Sequence, residues 1–287
     1  MNYLFYNDLA FAGKLKENIP VIKEELQEAL GEEVKETSLI DNDLNSIIKT
    51  LTNKDTVIFI GGDGTLNHQI NVLPVDEELP CDFYLYPYGT GNDFLNDVKD
   101  KQDPKTHLVK LNEYLSNLPY VEVKGKTYRF INGIGYGIDG ECCKKAEELK
   151  AKGKKDLNYG KITIGLLFKG YVAPTAKVKV DGKEEATFKK TYISAAMNGK
   201  YYGGGMMVAP SQERGSNLLT SVVIHGKGKL GTLIMFPGIF KGTHVKKVKN
   251  VSVIQGKTIE VSFSRPTALQ IDGEVVSDVT SYKAYIK

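Results

Sequence analysis

Two glycine-rich segments, each directly after an apolar strand-like run, carry the chemistry most visible in the sequence. Gly61-Gly62-Asp63-Gly64-Thr65 follows TVIFI, and Gly89-Thr90-Gly91-Asn92-Asp93 follows FYLYP. Consecutive glycines allow backbone N–H groups to approach a phosphate because no Cβ is in the way. A carboxylate at a strand end, such as Asp63, can hold a Mg²⁺ ion that bridges phosphates. The two segments therefore predict a phosphate-binding site, although the first has neither the Walker nor the dinucleotide-binding glycine pattern.

Simpler interpretations of both segments stay open on these residues alone. A tight strand-to-helix turn explains GGDGT equally well, because paired glycines are common in turns. For the second segment a helix cap is favoured, with Asn92 or Asp93 capping a helix that begins at Phe94. Two such loops on successive strands are harder to explain as turns only.

The elements that must position these loops alternate between strand and helix. Residues 14–30 place Ile19, Ile22 and Leu26 at helical spacing before Gly31, and residues 42–53 repeat the pattern. Strand, helix, strand and glycine loop in succession indicate a parallel α/β domain, in which ligands bind at the carboxyl ends of strands. We place a three-layer α/β domain at residues 1–119.

The texture of the sequence changes after about residue 120. Short alternating strands with a turn glycine about every ten residues predict an antiparallel β-sandwich over 120–287, interrupted by a helical, lysine-rich stretch at 140–170. No low-complexity linker separates the domains, so we expect a cleft between them. An arrangement in which the last strands return to the first domain stays open.

The composition excludes several classes of protein. The chain has 287 residues with 38 Lys and Arg against 35 Asp and Glu, a balance too even to favour nucleic acid as a partner. No apolar run approaches the roughly 18 residues of a membrane span. Three cysteines without a disulfide framework, and a start without a signal-peptide pattern, predict a cytoplasmic protein.

Five motifs together resemble the diacylglycerol kinase catalytic family, which includes bacterial lipid kinases, sphingosine kinases and ceramide kinase. They are GGDGTLN, PYGTGNDF, FINGIGYGID, NGKYYGGGMMVAP and the late IDGE, and the resemblance as a whole covers the chain from Asn7 to Glu274. GGDGT also occurs in NAD kinases and phosphofructokinases, whereas GTGND and NGKYYGGGMMVAP are more specific. The resemblance implies a nucleotide-binding α/β domain and a lipid-facing β domain.

The same resemblance implies roles for individual residues. Those implied to contact the nucleotide are Asn7, Thr37, Gly61, Gly62, Asp63, Gly64, Thr65, Asn67, Gly89, Thr90, Asn92 and Asp93. Glu274 matches the catalytic glutamate, which would accept the proton of the attacking hydroxyl, and Asp63 would hold Mg²⁺. On its residues alone, Asp272-Gly273-Glu274 is better explained as a hairpin turn.

Two positions depart from the family pattern. His68 stands where relatives often have Glu, and Ser216 stands where bacterial relatives have an Asp that contributes to a structural Mg²⁺ site. A hydroxyl is a poor ligand for a hard cation compared with a carboxylate. Glu213 is a weak replacement, so we predict that this structural metal site is lost.

The resemblance implies an ATP-dependent kinase that uses Mg²⁺ and phosphorylates a lipid hydroxyl, such as that of diacylglycerol, to give phosphatidate. Alternatives are a kinase of a different substrate, such as NAD, and a nucleotide- or lipid-binding regulatory protein that has lost catalysis. A lipid partner predicts a peripheral position at the inner membrane face, where Lys144–Lys161 and Lys241–Lys249 could bind anionic lipid. A homodimer stays open.

Overall fold

The computed structural model describes residues 1–8, 10, 14–89, 91–154 and 157–287. The chain divides into two compact units, Met1–Asn117 and Leu118–Lys287. The predicted division at residue 119 lies two residues away from this one. Within the described ranges, no helix is long and apolar enough to cross a membrane.

The first unit is a five-stranded sheet with helices between its strands. Its strand order is β2-β1-β3-β4-β5, in which the first four strands are parallel and β5 is antiparallel to β4. The strands are β1 (Asn2–Tyr6), β2 (Val34–Ser38), β3 (Thr56–Gly61), β4 (Asp82–Pro87) and β5 (Val109–Lys110). The helices are α1 (Lys14–Leu30), α2 (Leu44–Ile48), α3 (Asp63–Val72), α4 (Asp93–Val98) and α5 (Asn112–Leu115). These elements confirm the predicted α/β fold.

Both faces of this sheet are apolar. Leu4 and Ile58 pack in one cluster with the buried face of α1. Phe5, Phe59 and Phe83 lie on the opposite side because side chains alternate along a strand. The ring centroid of Phe59 is 6.0 Å from that of Phe5 and 6.1 Å from that of Phe83. A parallel sheet that is buried on both faces requires the near-continuous apolar strands found in the sequence.

The second helix is shorter than predicted. The sequence pattern predicts a helix over 42–53, whereas α2 ends at Ile48. The backbone N–H and the hydroxyl of Thr52 both donate to the Asp55 carboxylate, at 2.9 and 2.8 Å. Such a local side-chain turn competes with helical hydrogen bonding, and it ends the helix before the full periodic pattern is used.

The second unit contains a ten-stranded antiparallel sheet over its described residues. Its path is β15-β14-β11-β8-β16-β17-β6-β7, with β9 and β10 joined beside β16. Its strands are β6 (Tyr120–Val123), β7 (Lys126–Arg129), β8 (Gly133–Gly137), β9 (Ala176–Val180), β10 (Ala186–Phe188), β11 (Ile193–Met197), β14 (Leu219–Ile224), β15 (Val251–Gly256), β16 (Thr258–Ile271) and β17 (Glu274–Tyr285), and β12 (Tyr201–Tyr202) and β13 (Met206–Met207) form a separate pair. The antiparallel prediction is confirmed, and both final strands belong to this sheet.

Three α-helices accompany the second sheet over the part of this unit that the structure describes. The predicted helical stretch at 140–170 consists of two helices, α6 (Ile138–Ala151) and α7 (Tyr159–Phe168), and a third, α8, spans Lys229–Phe240. A central aromatic pair, Tyr136 and Phe263, stacks with centroids 3.8 Å apart in the core.

Candidate nucleotide-binding and catalytic sites

The predicted nucleotide contacts of the first unit gather at one edge of its sheet. The parallel strands β2, β1, β3 and β4 all end at this edge. Thr37 is the second-last residue of β2, while Asn7 and the two glycine loops follow the ends of the neighbouring strands. From β1 the chain continues to β2 on one side of β1, and it then crosses to β3 on the other side of β1. The order reverses between β1 and β3, and ligands of open α/β sheets bind at such a point.

The first glycine loop is a tight turn from β3 into α3. Gly61 ends the strand and Gly62 is the N-cap of the helix, where no side chain caps the helix among the described residues. A Cβ on Gly61 would lie 2.3 Å from the hydroxyl of Thr65, so the turn requires glycine there. Gly64 is exposed with open space around it. The N-terminus of this helix therefore lacks a side-chain cap from its N-cap residue, and a helix N-terminus favours an anion.

The two glycine loops are joined by Asp63. Its Oδ2 accepts the N–H of Asp93 and its Oδ1 accepts the N–H of Phe94, both at 2.9 Å, at the start of α4. Asn92 does not cap this helix: it has a φ of 48°, and its Nδ2 donates to the Gly89 carbonyl at 3.0 Å. The expected cap by Asn92 or Asp93 is therefore wrong, because a residue of the neighbouring loop supplies the cap.

Close backbone packing adds to this connection. The N–H of Tyr88 donates to the carbonyl of Gly61 at 2.8 Å, and a Cβ on Gly89 would come within 3.0 Å of the Gly62 Cα. The glycines thus allow two loops to touch, in addition to any approach to phosphate. The turn interpretation and the phosphate interpretation of these glycines are compatible.

The fit of Mg²⁺ to Asp63 follows from its lone pairs. Its two oxygens accept the N–H groups of Asp93 and Phe94, and a carboxylate oxygen can accept more than one partner. The described residues contain no group of three or more His, Cys, Asp or Glu side chains able to hold a metal. Mg²⁺ that is bound through one or two carboxylates and substrate phosphates needs no such cage. Asp63 fits an ion that arrives with the nucleotide.

The remaining predicted contacts differ in environment. Thr37 is buried near the end of β2, and its hydroxyl has no hydrogen-bond partner among the described residues. Asn67 and Asp93 are buried, whereas Asn7 is exposed directly after β1. Thr90 lies outside the described residues. An unpaired buried hydroxyl at the ligand-binding edge is consistent with a contact that a nucleotide would complete.

A neighbouring acid, Asp8, was not predicted from the sequence. It accepts a hydrogen bond from the Ser38 hydroxyl and forms a 2.9 Å ion pair with Lys16. These hydrogen bonds, the one from Lys16 above all, hold the pKa of the Asp8 carboxyl below its ordinary value. Asp8 thereby ties the end of β1 to the end of β2. The polar run YND directly after a buried strand was the available signal.

In the second unit, Asp272 and Gly273 form the two-residue turn between β16 and β17. Their φ values are 47° and 98°, and Ile271 is paired with Glu274. The hairpin interpretation of this motif is therefore confirmed. The Asp272 carboxylate accepts three consecutive N–H groups, from Ile131, Asn132 and Gly133, at 2.6, 2.8 and 2.9 Å. The start of the FINGIGYG motif is therefore fixed to the hairpin turn.

Glu274 stands exposed beside this turn, at the first position of β17. Glu147 on α6 has a pKa that is raised by burial and then by the charge of Glu274. Asp272 is thus a structural carboxylate, while Glu274 is available to solvent and to a substrate. A cavity of about 480 Å³ in the second unit, lined mainly by residues of β6, β7, β9, β16 and β17, contains neither residue.

The loop that carries Ser216 is held by side chains from within the unit. Buried Gln212 donates through Nε2 to the carbonyls of Glu213 and Leu218 at 3.1 and 2.9 Å. Arg214 donates to the Ile131 carbonyl and to Asn132 Oδ1, the latter at 2.9 Å. Ser216 itself is exposed. Arg214 therefore binds the same segment that Asp272 holds, and the loss of a metal site here stays a prediction.

A buried acid, Asp139, was also missed. Tyr202 donates to its Oδ2 at 2.7 Å, while Oδ1 has no partner among the described residues. Burial raises the pKa of this carboxyl to about 6. The amide nitrogen of Gln270 is also unpaired, and a Cβ on Gly135 would collide with both side chains. The ID of FINGIGYGID was quoted as a motif, but nothing in the sequence signals that this Asp is buried.

Together these features define a class of protein: an α/β unit with two interlocked glycine loops at the carboxyl edge of its sheet, followed by an antiparallel β unit. Residues 2–122 match the diacylglycerol kinase catalytic domain, and residues 132–284 match the YegS C-terminal NAD kinase beta sandwich-like domain. The chain belongs to the diacylglycerol kinase catalytic family, of the YegS type, as the motifs suggested.

Individual relatives agree with this assignment at low identity. The chain is 22% identical over 243 residues to "Putative lipid kinase YtlR" of Bacillus subtilis, covering 77% of this chain and 74% of that protein. It is 25% identical over 212 residues to a diacylglycerol kinase of Mycobacterium tuberculosis, covering 72% and 66%. A crystal structure of a diacylglycerol kinase from Bacillus anthracis shares the fold, with a TM-score of 0.63 and 16% identity over 99% and 93% of the two chains.

Proposed function

We propose that this chain is an ATP-dependent lipid kinase, which transfers the terminal phosphoryl group of ATP to the hydroxyl of diacylglycerol or a similar lipid alcohol. The observation that carries the proposal is the interlocked pair of glycine loops, joined through Asp63 to the N–H groups of Asp93 and Phe94. The membership in the diacylglycerol kinase catalytic family supports the same reaction.

The first unit would bind the nucleotide. The open N-terminus of α3 and the backbone of both glycine loops would receive the phosphates, and the unpaired hydroxyl of Thr37 would gain a partner. Mg²⁺ arriving with ATP would offset the phosphate charge, with Asp63 as its protein ligand. Because Asp63 also caps α4, phosphate or Mg²⁺ binding at the first glycine loop would affect the position of the second.

The second unit would supply the proton acceptor. Glu274 would take the proton of the lipid hydroxyl as its oxygen forms a bond to the terminal phosphorus of ATP, and ADP would leave. An exposed carboxylate on a rigid hairpin is suited to this role, because the turn is fixed by the three hydrogen bonds of Asp272. The products would be the phosphorylated lipid and ADP.

The test is phosphoryl transfer from labelled ATP to a panel of acceptors in non-ionic detergent micelles. The panel contains diacylglycerol, monoacylglycerol, ceramide and sphingosine, with NAD as a soluble acceptor. We expect a labelled lipid that depends on Mg²⁺ and is lost in Glu274→Gln. Labelling of NAD alone would instead establish the rival kinase, and nucleotide binding without labelling of any acceptor would establish a regulatory protein.

A further inference from the structure

Two neighbouring helices of the second unit expose large apolar side chains. Phe168 at the end of α7 is 72% exposed, and Leu230 and Ile234 on α8 are 70% and 73% exposed. The two helices pack against each other, so these side chains belong to one region of the surface. Isolated apolar residues are ordinary on a protein surface, but several on adjacent helices mark an interaction site.

The exposure follows from the helical periodicity. On α8, Met235 and Ile239 point into the core, while Leu230 and Ile234, four residues apart, lie on the other side. On α7, Leu167 is buried and its neighbour Phe168 is not. We call the outward side of both helices the exposed apolar face, and its residues are Ile164, Phe168, Leu230, Ile234 and Pro237.

The two chain segments that carry this face contain only positive charges. Residues 225–250 contain six Lys and no Asp or Glu, and residues 157–170 contain two Lys and no acidic residue. The chain as a whole is almost balanced, with 38 basic and 35 acidic residues. Lys229 and Lys241, at the two ends of α8, are exposed. The partner of the face must therefore accept apolar side chains and carry negative charge at its surface.

We propose that the exposed apolar face docks the protein on the surface of an anionic lipid bilayer. Phe168, Leu230 and Ile234 would enter the boundary between head groups and acyl chains, and the surrounding lysines would bind anionic head groups. A second copy of the chain fits less well, because the two faces would bring their lysines together without an acidic residue between them. The inference deepens the proposed function, on which it rests for its purpose: the face would hold the enzyme where a lipid substrate is found.

The test measures binding to vesicles that contain neither diacylglycerol nor nucleotide, so that it does not depend on catalysis. Vesicles of phosphatidylglycerol and phosphatidylcholine are compared with phosphatidylcholine alone, by co-flotation at 50 mM salt. The variant is Phe168→Glu with Ile234→Glu. Its matched controls are Val21→Glu and Ile40→Glu, which change apolar residues of the first unit that are 56% and 53% exposed. We expect the double variant to bind at least tenfold more weakly, and each control to stay within about twofold of the parent.

The lysines have a separate expected effect. Lys229→Gln and Lys241→Gln should each weaken binding to the anionic vesicles roughly fivefold, and rising salt should weaken binding of the parent. Equal binding of the parent and the double variant would overturn the proposal. The proposal would also be overturned if sedimentation showed that the parent is a dimer and the double variant is a monomer, because the face would then join two copies.

Failure of this inference is distinguishable from failure of the proposed function. In detergent micelles the substrate is delivered without a bilayer, so the double variant should phosphorylate diacylglycerol at the parental rate. An active parent that ignores anionic vesicles would overturn only the docking surface. A parent that binds vesicles through this face and phosphorylates no lipid would overturn only the kinase.

Discussion

The backbone N–H of Asp93, at the start of one helix, donates to the carboxylate of Asp63, at the start of another, over 2.9 Å. The two residues belong to different glycine loops. The Asp63 carboxylate also accepts the N–H of Phe94, in the same helix α4, at 2.9 Å. A single acid therefore has two separable functions, a helix cap and a proposed ligand of Mg²⁺. Substitution can distinguish them.

Asp63→Asn keeps one acceptor oxygen but turns an NH₂ group toward an N–H donor. We expect the free energy of unfolding to fall by about 1–2 kcal/mol, measured by denaturant titration. The proposed metal role predicts a further effect, a loss of the Mg²⁺ dependence of ATP affinity, measured by calorimetry. Asp43→Asn is the control, because Asp43 caps α2 in an exposed position. An unchanged Mg²⁺ dependence in Asp63→Asn would leave this residue with the cap alone.

The hairpin of Asp272 and Glu274 allows a contrast between structure and chemistry. Glu274→Gln keeps the shape of an exposed side chain, so we expect unchanged stability and a loss of 10²–10⁴ in kcat. Asp272→Ala leaves three N–H groups without their acceptor, and should cost roughly 3 kcal/mol or more of stability. Thermal melts and steady-state kinetics on both variants measure this. Full turnover in Glu274→Gln would exclude it as the proton acceptor.

The predicted loss of the structural Mg²⁺ site can be measured without nucleotide. Ser216 offers only a hydroxyl, while Gln212 and Arg214 already order the loop through hydrogen bonds. We expect Mg²⁺ alone to leave the melting temperature unchanged, because an ion that does not bind the folded state cannot stabilise it. Ser216→Asp should create a Mg²⁺-dependent increase. A strong effect of Mg²⁺ on the parent would contradict the prediction and point to Glu213.

Asp139 predicts a pH dependence of stability. Burial raises its pKa from 3.8 to about 6 in the folded state, so the unfolded chain loses this proton at lower pH than the folded chain does. Stability should therefore fall as pH rises from about 4 to about 6, by roughly 3 kcal/mol for a shift of this size, and then level off. Asp139→Asn should remove this slope in denaturant titrations. Exposed Asp278→Asn serves as the control, and an identical slope in Asp139→Asn would contradict the assignment.

Local patterns predicted the strands and the glycine loops well. TVIFI and FYLYP are apolar runs that lead directly into GGDGT and GTGND, so both loops could be placed at strand ends. The link from Asp63 to α4 could not be predicted, because a cap supplied across two loops exists only once the strands are side by side. For the same reason, no local signal distinguishes buried Asp139 from the exposed Asp278.

The exposed apolar face could not be predicted from the sequence. The α8 segment KLGTLIMFPGIF is so apolar that sequence alone would place it in a core. Only the fold reveals that Leu230 and Ile234 lie outside while Met235 lies inside.

The long hairpin of β16 and β17 sets the order in which the second unit can be made. Three earlier strands, β6, β8 and β9, pair with this hairpin, so their pairing is incomplete until the hairpin has been synthesised. The hydrogen bond between Gly133 and Asp272 spans 139 residues of chain. During synthesis, the first unit can fold from neighbouring segments as they emerge. Strand β8 can pair with β11 on one edge, but its other edge must wait for β16. The nascent second unit is therefore the stage at which a chaperone or a misfolding partner would meet this chain.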